Sequence, residues 1–344
     1  MNRLTQFIIG SVFSLTIVSS HCATINIYSW SGFLPAEVLR EFTQETGIRV
    51  NDNHYESNEE LYTKLKTGFD NRYDIIMPSG YIVGQMSHEK MLHQLDKKRI
   101  VNFKNLDTHL LDKAYDPGNQ YSVPYIFHGS GLVVNTAYHK LEDFQSWESL
   151  WKVDLKNKIL MLDDVREVFS IALLTLNLSP NTLHLISIKA AYEKLRALLP
   201  NIRVFNNEGI AGLYADEDLT LGVGWSGDIY RAQQLNQNLQ FVYPKEGYIL
   251  SIDNLVIPAG ARNIDAAYRL INFLLRPEIA AKISCLTGYA VANQAAHAYL
   301  PKEMLKNPML YPNQTIFRKG IVQLSASSQT TVYEKYWELL KIAG

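Results

Sequence analysis

The chain has 344 residues, which at roughly 100–200 residues per domain points to two domains rather than one. A composition of 47% apolar, 19% charged and 11% aromatic residues excludes disordered, collagen-like and coiled-coil classes. With 33 Lys and Arg against 34 Asp and Glu the chain lacks the basic excess of a nucleic-acid binder, and its 2 cysteines, Cys22 and Cys285, exclude a disulfide framework or a Cys-rich zinc site.

Residues 1–22 read as a secretory signal peptide. Arg3 supplies the positive n-region, and an apolar stretch from Phe7 to Val18, broken by Ser and Thr, is too short to span a bilayer. Ser19, Ser20 and Ala23 bracket a cleavage point. A buried N-terminal helix is the duller reading, and a lipid-attachment role for Cys22 fits poorly after His21. An exported protein is expected, with Cys285 as a buried free thiol.

Strands then alternate with helices. Residues 24–28 alternate like a strand; 35–46 read as a helix with Val38, Leu39 and Phe42 on one face and Gly47 as its stop. A strand at 48–50 follows. Ser57 and Glu60 form a capping box before a helix carrying Leu61 and Leu65. Residues 74–77 make a strand, and 82–89 a helix. The pattern restarts with a strand at 158–162, a helix opened by Asp163-Asp164, and a helix at 190–199. Next come a strand at 219–223, a helix capped by Ser226 and reaching about Leu235, and strands at 239–243 and 254–258. Helices near 264–275, 277–286 and 331–342 close the chain. This rhythm predicts an α/β fold of mostly parallel sheets flanked by helices. Two such units without a flexible linker predict two lobes with a cleft that gathers both sets of strand ends.

The loops at those strand ends carry aromatic rings, carboxylates, or both. They are Trp30-Ser31-Gly32-Phe33, Ser79-Gly80-Tyr81, Asp163 with Asp164 and Glu167, Trp225-Ser226 with Asp228, Ser251-Ile252-Asp253, and Gly288-Tyr289. Arg166 is the one cation among them. Such a set fits a cationic organic ligand. Ring faces attract ammonium groups by about 0.5–2 kcal/mol each. An ion pair at about 4 Å gains about 4 kcal/mol at an effective dielectric near 20, before desolvation is subtracted. Each piece also has a plainer role. Asp164 and Glu167 have capping-box spacing, Trp30, Trp225 and Tyr289 suit a core, and Asp228 suits a helix first turn. Asp163-Asp164 is not part of a calcium loop of the Asp-x-Asp-x-Asp-Gly kind. Gly222, Gly224 and Gly227 spell a dinucleotide-type GxGxxG after a strand, but the bulky Trp225 stands where a pyrophosphate would approach the backbone. The histidines, among them His54, His88, His93 and His128, read as satisfied or exposed.

The whole mature chain resembles the spermidine/putrescine-binding proteins of bacterial ABC uptake systems. The stretches that carry the resemblance include Tyr28-Ser29-Trp30, Tyr55-Glu56-Ser57-Asn58-Glu59, Asp74-Ile75-Ile76-Met77-Pro78-Ser79, Val123-Pro124-Tyr125, Asp163-Asp164-Val165-Arg166-Glu167, Tyr243-Pro244-Lys245-Glu246-Gly247 and Phe273-Leu274-Leu275-Arg276-Pro277. The resemblance implies a two-lobed type II periplasmic binding fold, with lobe 1 formed by 23–131 plus 252–300 and lobe 2 by 132–251 plus 301–344. It implies a polyamine ligand, a periplasmic location, no cofactor, no metal and no catalysis. An inner-membrane ABC permease is the implied partner, and the expected state is a monomer. Carried over by position, Trp30 and Trp225 are aromatic walls, and Asp164, Glu167 and Asp253 bind ammonium groups. Ser31, Ser79, Tyr81, Tyr289 and Gln323 supply polar and aromatic contacts. Three positions depart from the pattern: Gly32 where an acidic residue is usual, Phe33 for a tyrosine, and Ser251 for a tryptophan. Arg166 is expected to point away from the ligand. The rival readings are a binding protein for another small cationic or amino-bearing solute, an exported enzyme using Asp163, Asp164 and Glu167, and a nicotinamide-dependent oxidoreductase using Gly222, Gly224 and Gly227.

Overall fold

The computed structural model describes residues 23–326 and 329–343. The expected leader and Cys22 lie outside them. Strand β1 (Thr24–Trp30) buries Ile25 and Ile27 completely, as its alternation requires. Helix α1 (Ala36–Thr46) buries Val38 and Phe42 and ends at Gly47, whose φ of 72° is the left-handed closure that glycine adopts without strain. β2 (Arg49–Tyr55) runs further than its sequence signal and pairs in parallel with β1. Ser57 caps α2 (Asn58–Lys64) by accepting the Glu60 N–H at 3.1 Å. The Glu60 carboxylate returns to the Glu56 N–H instead of that of Ser57. β3 (Ile75–Ile76) and α3 (Gly80–His88) complete this first unit.

The next element, β4 (Ser122–Asn135), is buried along all 14 residues. The second unit follows it: β5 (Ile159–Met161), α4 (Val165–Thr175), α5 (Leu185–Leu198), β6 (Ile202–Phe205), α6 (Ile210–Ala215), β7 (Leu221–Trp225), α7 (Ser226–Leu235) and β8 (Leu239–Val242). β9 (Tyr248–Val256), α8 (Ile264–Leu274), α9 (Pro277–Thr287) and β10 (Ala290–Val291) return to the first unit. The short α10 (Lys302–Leu305), α11 (Gln314–Phe317) and β11 (Gly320–Ile321) precede α12 (Thr330–Ala343).

The strand path is β2-β1-β3-β9-β4-β7-β5-β6. β4 joins its two halves. From Ser122 to Gly129 it pairs antiparallel with β9, and from Ser130 onward it pairs antiparallel with β7 and β8. The chain therefore changes sheets between Gly129 and Ser130. The result is a two-lobed mixed α/β fold. Parallel pairing is confined to β1 with β2 and β3, β5 with β6 and β7, and β9 with β11.

Three local expectations need correction. Ser226 does not cap α7; its hydroxyl accepts the Gly129 N–H at 3.4 Å, and Trp225 occupies the cap position without a side-chain bond. Ser251 and Asp253 lie inside β9, not in a loop at a strand end. Cys285 is exposed, because on α9 the buried face is formed by Ile279, Ala280 and Ile283. The glycines of the GxGxxG serve packing: a Cβ on Gly222 would overlap the Leu160 carbonyl, and one on Gly227 would overlap the Tyr289 ring. Among the described residues no helix is long and apolar enough to cross a membrane.

Candidate functional site

The carboxyl ends of β1, β5 and β7 open into one cleft of about 1260 Å³, solvent at its mouth included. Trp30, Ser31 and Phe33 enter it from the end of β1, and Ser79 and Tyr81 from the start of α3. Asp164 and Glu167 enter from the first turn of α4 and Trp225 from the end of β7. Ser251 and Asp253 come from mid-β9, Tyr289 from the turn after α9, and Gln323 from the segment after β11. Every residue singled out by resemblance thus lines the same space.

Asp253 is the most enclosed of these carboxylates, at 1% exposure. Its Oδ1 accepts the Ser79 hydroxyl at 2.6 Å, and its Oδ2 lies 3.2 Å from His128 Nε2. Ser79 is fixed in turn by Asn58, which gives its amide to the Ser79 hydroxyl and accepts the Ser79 N–H, each at 3.1 Å. This chain of bonds holds the Asp253 carboxyl group in one orientation at the cleft wall.

The two acidic residues of α4 divide their roles. Asp164 accepts the Glu167 N–H at 2.9 Å and so performs the capping expected of it. Glu167 does not complete a capping box. Its Oε1 faces the Ser251 hydroxyl at 3.4 Å, while Oε2 is buried without a hydrogen-bond partner among the described residues. Burial, reinforced by Asp164, pushes the Glu167 carboxyl up to about 8. Burial also raises Asp164 above the usual carboxylate range. Beside the cleft, burial and Asp164 push Glu59 up to about 7, and Tyr81 donates to Glu59 at 3.0 Å. A cation entering here would restore the ionised forms.

Rings enclose the same space. Phe33 packs against Tyr289 with centroids 5.0 Å apart, and Trp30 against Tyr55 at 4.6 Å. Trp30 Nε1 is a buried donor without a partner among the described residues. Gln323 is buried with its amide donating to Ser170 at 3.1 Å.

Residues 37–312 match the family model of bacterial extracellular solute-binding proteins. The chain belongs to that family. It is 42% identical over 318 residues to the spermidine/putrescine-binding periplasmic protein of Salmonella typhimurium, an alignment covering 92% of this chain and 91% of the relative. The putrescine-binding periplasmic protein PotF of Escherichia coli is 31% identical over 335 residues, 90% and 89% of the two chains. Among solved structures, the spermidine/putrescine ABC transporter substrate-binding protein PotD of Streptococcus pneumoniae aligns with a TM-score of 0.79 at 33% identity, covering 93% of this chain and 99% of that one.

In this solute-binding protein, Arg166 is not a cleft residue. It is 4% exposed, donates to the Leu324 carbonyl at 3.2 Å, and lies between the rings of Tyr81 and Tyr333 at 5.3 and 5.2 Å. Asp163 is drawn off as well, paired with Lys341 at 2.7 Å, so Asp163, Asp164 and Glu167 do not converge as one acid/base set. Several cleft residues escaped the sequence reading, among them Asn207, Glu208 and Thr287 as well as three that shape the site. Arg231 stands in the wall, paired with Asp228 at 2.5 Å, so Arg166 is not the one cation near the site. The i, i+3 spacing of that pair on α7 was its only local signal. Asn58 was named only within the stretch Tyr55-Glu56-Ser57-Asn58-Glu59, with no role at the site. His128 left no local signal at all, since its partner Asp253 lies 125 residues away.

Proposed function

We propose that this protein captures a polyamine, putrescine or spermidine, in the cleft and delivers it to an inner-membrane ABC permease. The reading rests on one observation above the others. Glu167 and Asp253 are buried carboxylates lining a slot walled by Trp30, Trp225 and Tyr289, and among the described residues Glu167 lacks the counter-charge that would keep it ionised. An alkyl diamine supplies what this arrangement needs: ammonium ends for the carboxylates and methylenes for the rings. Relatives named for spermidine and putrescine support the same ligand class. Gly32, Phe33 and Ser251, which line the slot where the family pattern has an acid, a tyrosine and a tryptophan, are the positions at which preference among amines would be tuned.

The lobes 23–131 plus 252–300 and 132–251 plus 301–344 close on the amine about β4 and β9, and the closed shape is what the permease recognises. Closure follows from the ligand only in so far as the ligand binds the closed form more tightly. The protein acts in the periplasm as a monomer, without cofactor or metal, and returns its ligand chemically unchanged. Calorimetric titration with putrescine, cadaverine, spermidine and spermine at low and high salt tests this. One-to-one binding of an amine, weaker at high salt and with the amine recovered intact, is expected. Indifference to every amine together with tight binding of an anionic metabolite would overturn the reading.

A further inference from the structure

His128 lies on β4 at the last position but one before the strand changes sheets, opposite Ser251 on β9. It lines the cleft and is 8% exposed. Its ring meets Trp225 and Tyr289 edge-on, with centroids 6.0 and 5.4 Å away, so two walls of the slot fix its orientation. Nε2 faces Asp253 Oδ2 at 3.2 Å. A carboxylate oxygen only accepts, so the neutral ring carries its hydrogen on Nε2. Nδ1 is then a bare lone pair, and it is buried with no partner among the described residues. Leaving such a group unsatisfied is costly, so a donor arriving in the cleft finds a ready acceptor.

We propose that His128 is a ligand-reading residue for the amine held by Asp253, an inference that rests on the polyamine reading above. Neutral, the ring steadies Asp253 through Nε2–H and offers Nδ1 to an ammonium N–H. Protonated, it becomes a second cation satisfied by the same carboxylate. Ammonium and imidazolium would then compete for the Asp253 carboxylate.

Other charges share the cleft, among them Glu56 after β2 and Glu208 before α6. Glu167 and Asp164 face it from α4, and Asp228 and Arg231 face it from α7, paired with each other. Tyr289 stays a neutral phenol, since burial pushes its ionisation well above the usual range. Glu167 titrates in its own right, so the test compares proteins that all retain it.

His128→Gln keeps an amide N–H near the Nε2 position and cannot be protonated; His128→Asn keeps an acceptor near Nδ1 and cannot be protonated either. Each is titrated with putrescine and with spermidine at pH 7.5 and 5.5, in two buffers of different ionisation enthalpy. A histidine changes charge across this range, so wild type should lose about tenfold more affinity on acidification than His128→Gln. It should also release more protons per amine bound at pH 5.5. Equal pH dependence and equal proton release in wild type and variant, with amine still bound, would overturn the role of His128 alone. Failure of wild type to bind any amine at either pH would overturn the polyamine reading and this role with it. Should His128→Gln not fold, the same comparison is made with His128→Asn.

Discussion

Replacing Asp253 with asparagine removes one charge and almost no volume. Asp253 is 1% exposed and accepts from Ser79 and faces His128 Nε2, so its desolvation is already met when the chain folds. Binding an ammonium group beside it then gains about 4 kcal/mol at about 4 Å and an effective dielectric near 20. The incoming amine loses its own hydration, which leaves a net effect of about 1.4–3 kcal/mol, or about a tenfold to hundredfold loss of affinity for Asp253→Asn. The fold should tolerate the change, because the new amide oxygen still accepts one bond and the Ser79 hydroxyl can turn to accept from the amide nitrogen. Calorimetry with putrescine and spermidine gives the affinity, and thermal melting gives the control. An affinity within threefold of wild type at an unchanged melting temperature would refute the argument that Asp253 anchors the ligand.

Glu167 carries a pH prediction. Its carboxyl sits at about 8 in the folded chain against an ordinary 4.5, so folding retains a proton that the unfolded chain gives up. The resulting stability is present in full below pH 4.5 and is lost as pH rises through about 8. Melting of the amine-free protein should show this decline, and Glu167→Gln should flatten it. Trp225→Ala removes a half-buried wall and should weaken amine binding by about 1–2 kcal/mol in calorimetry with little change in melting temperature. Gly227→Ala drives a Cβ into the Tyr289 ring, so both stability and affinity should fall, stability by about 1–3 kcal/mol in urea unfolding.

The β-α alternation was legible because its signals are local. Val38 and Phe42 repeat at helical spacing, Gly47 closes a helix, and Ser57 and Asp164 cap the next turn of chain in each case. β4 was not legible. All its residues are buried, so it has no period of two, and Pro124, Gly129 and Gly131 read as breakers. Those glycines are present because the rings of Tyr243 and Phe241 leave no room for a Cβ, a constraint set by residues more than 100 positions away in sequence. Polar Ser251 and Asp253 likewise suggested a loop, whereas a strand that floors a cleft must carry polar groups on the face it shows to the ligand. The candidate residues were legible chiefly through resemblance. Their division of labour was not: that Glu167 turns inward while Asp163 leaves for Lys341 depends on the far end of the chain.

If the lobes close as proposed, the sheet change at Gly129 and Ser130 puts the pivot beside His128. His128 precedes the joint directly, and across the strand pair stand Leu250 and Ser251, two residues short of Asp253. Flexing of the joint would then move the imidazole and the Asp253 carboxylate together, since the two are bonded across the strand pair. Substitutions at Gly129 and Ser130, which do not line the cleft, would therefore change how firmly a solute is gripped without altering any atom that touches it.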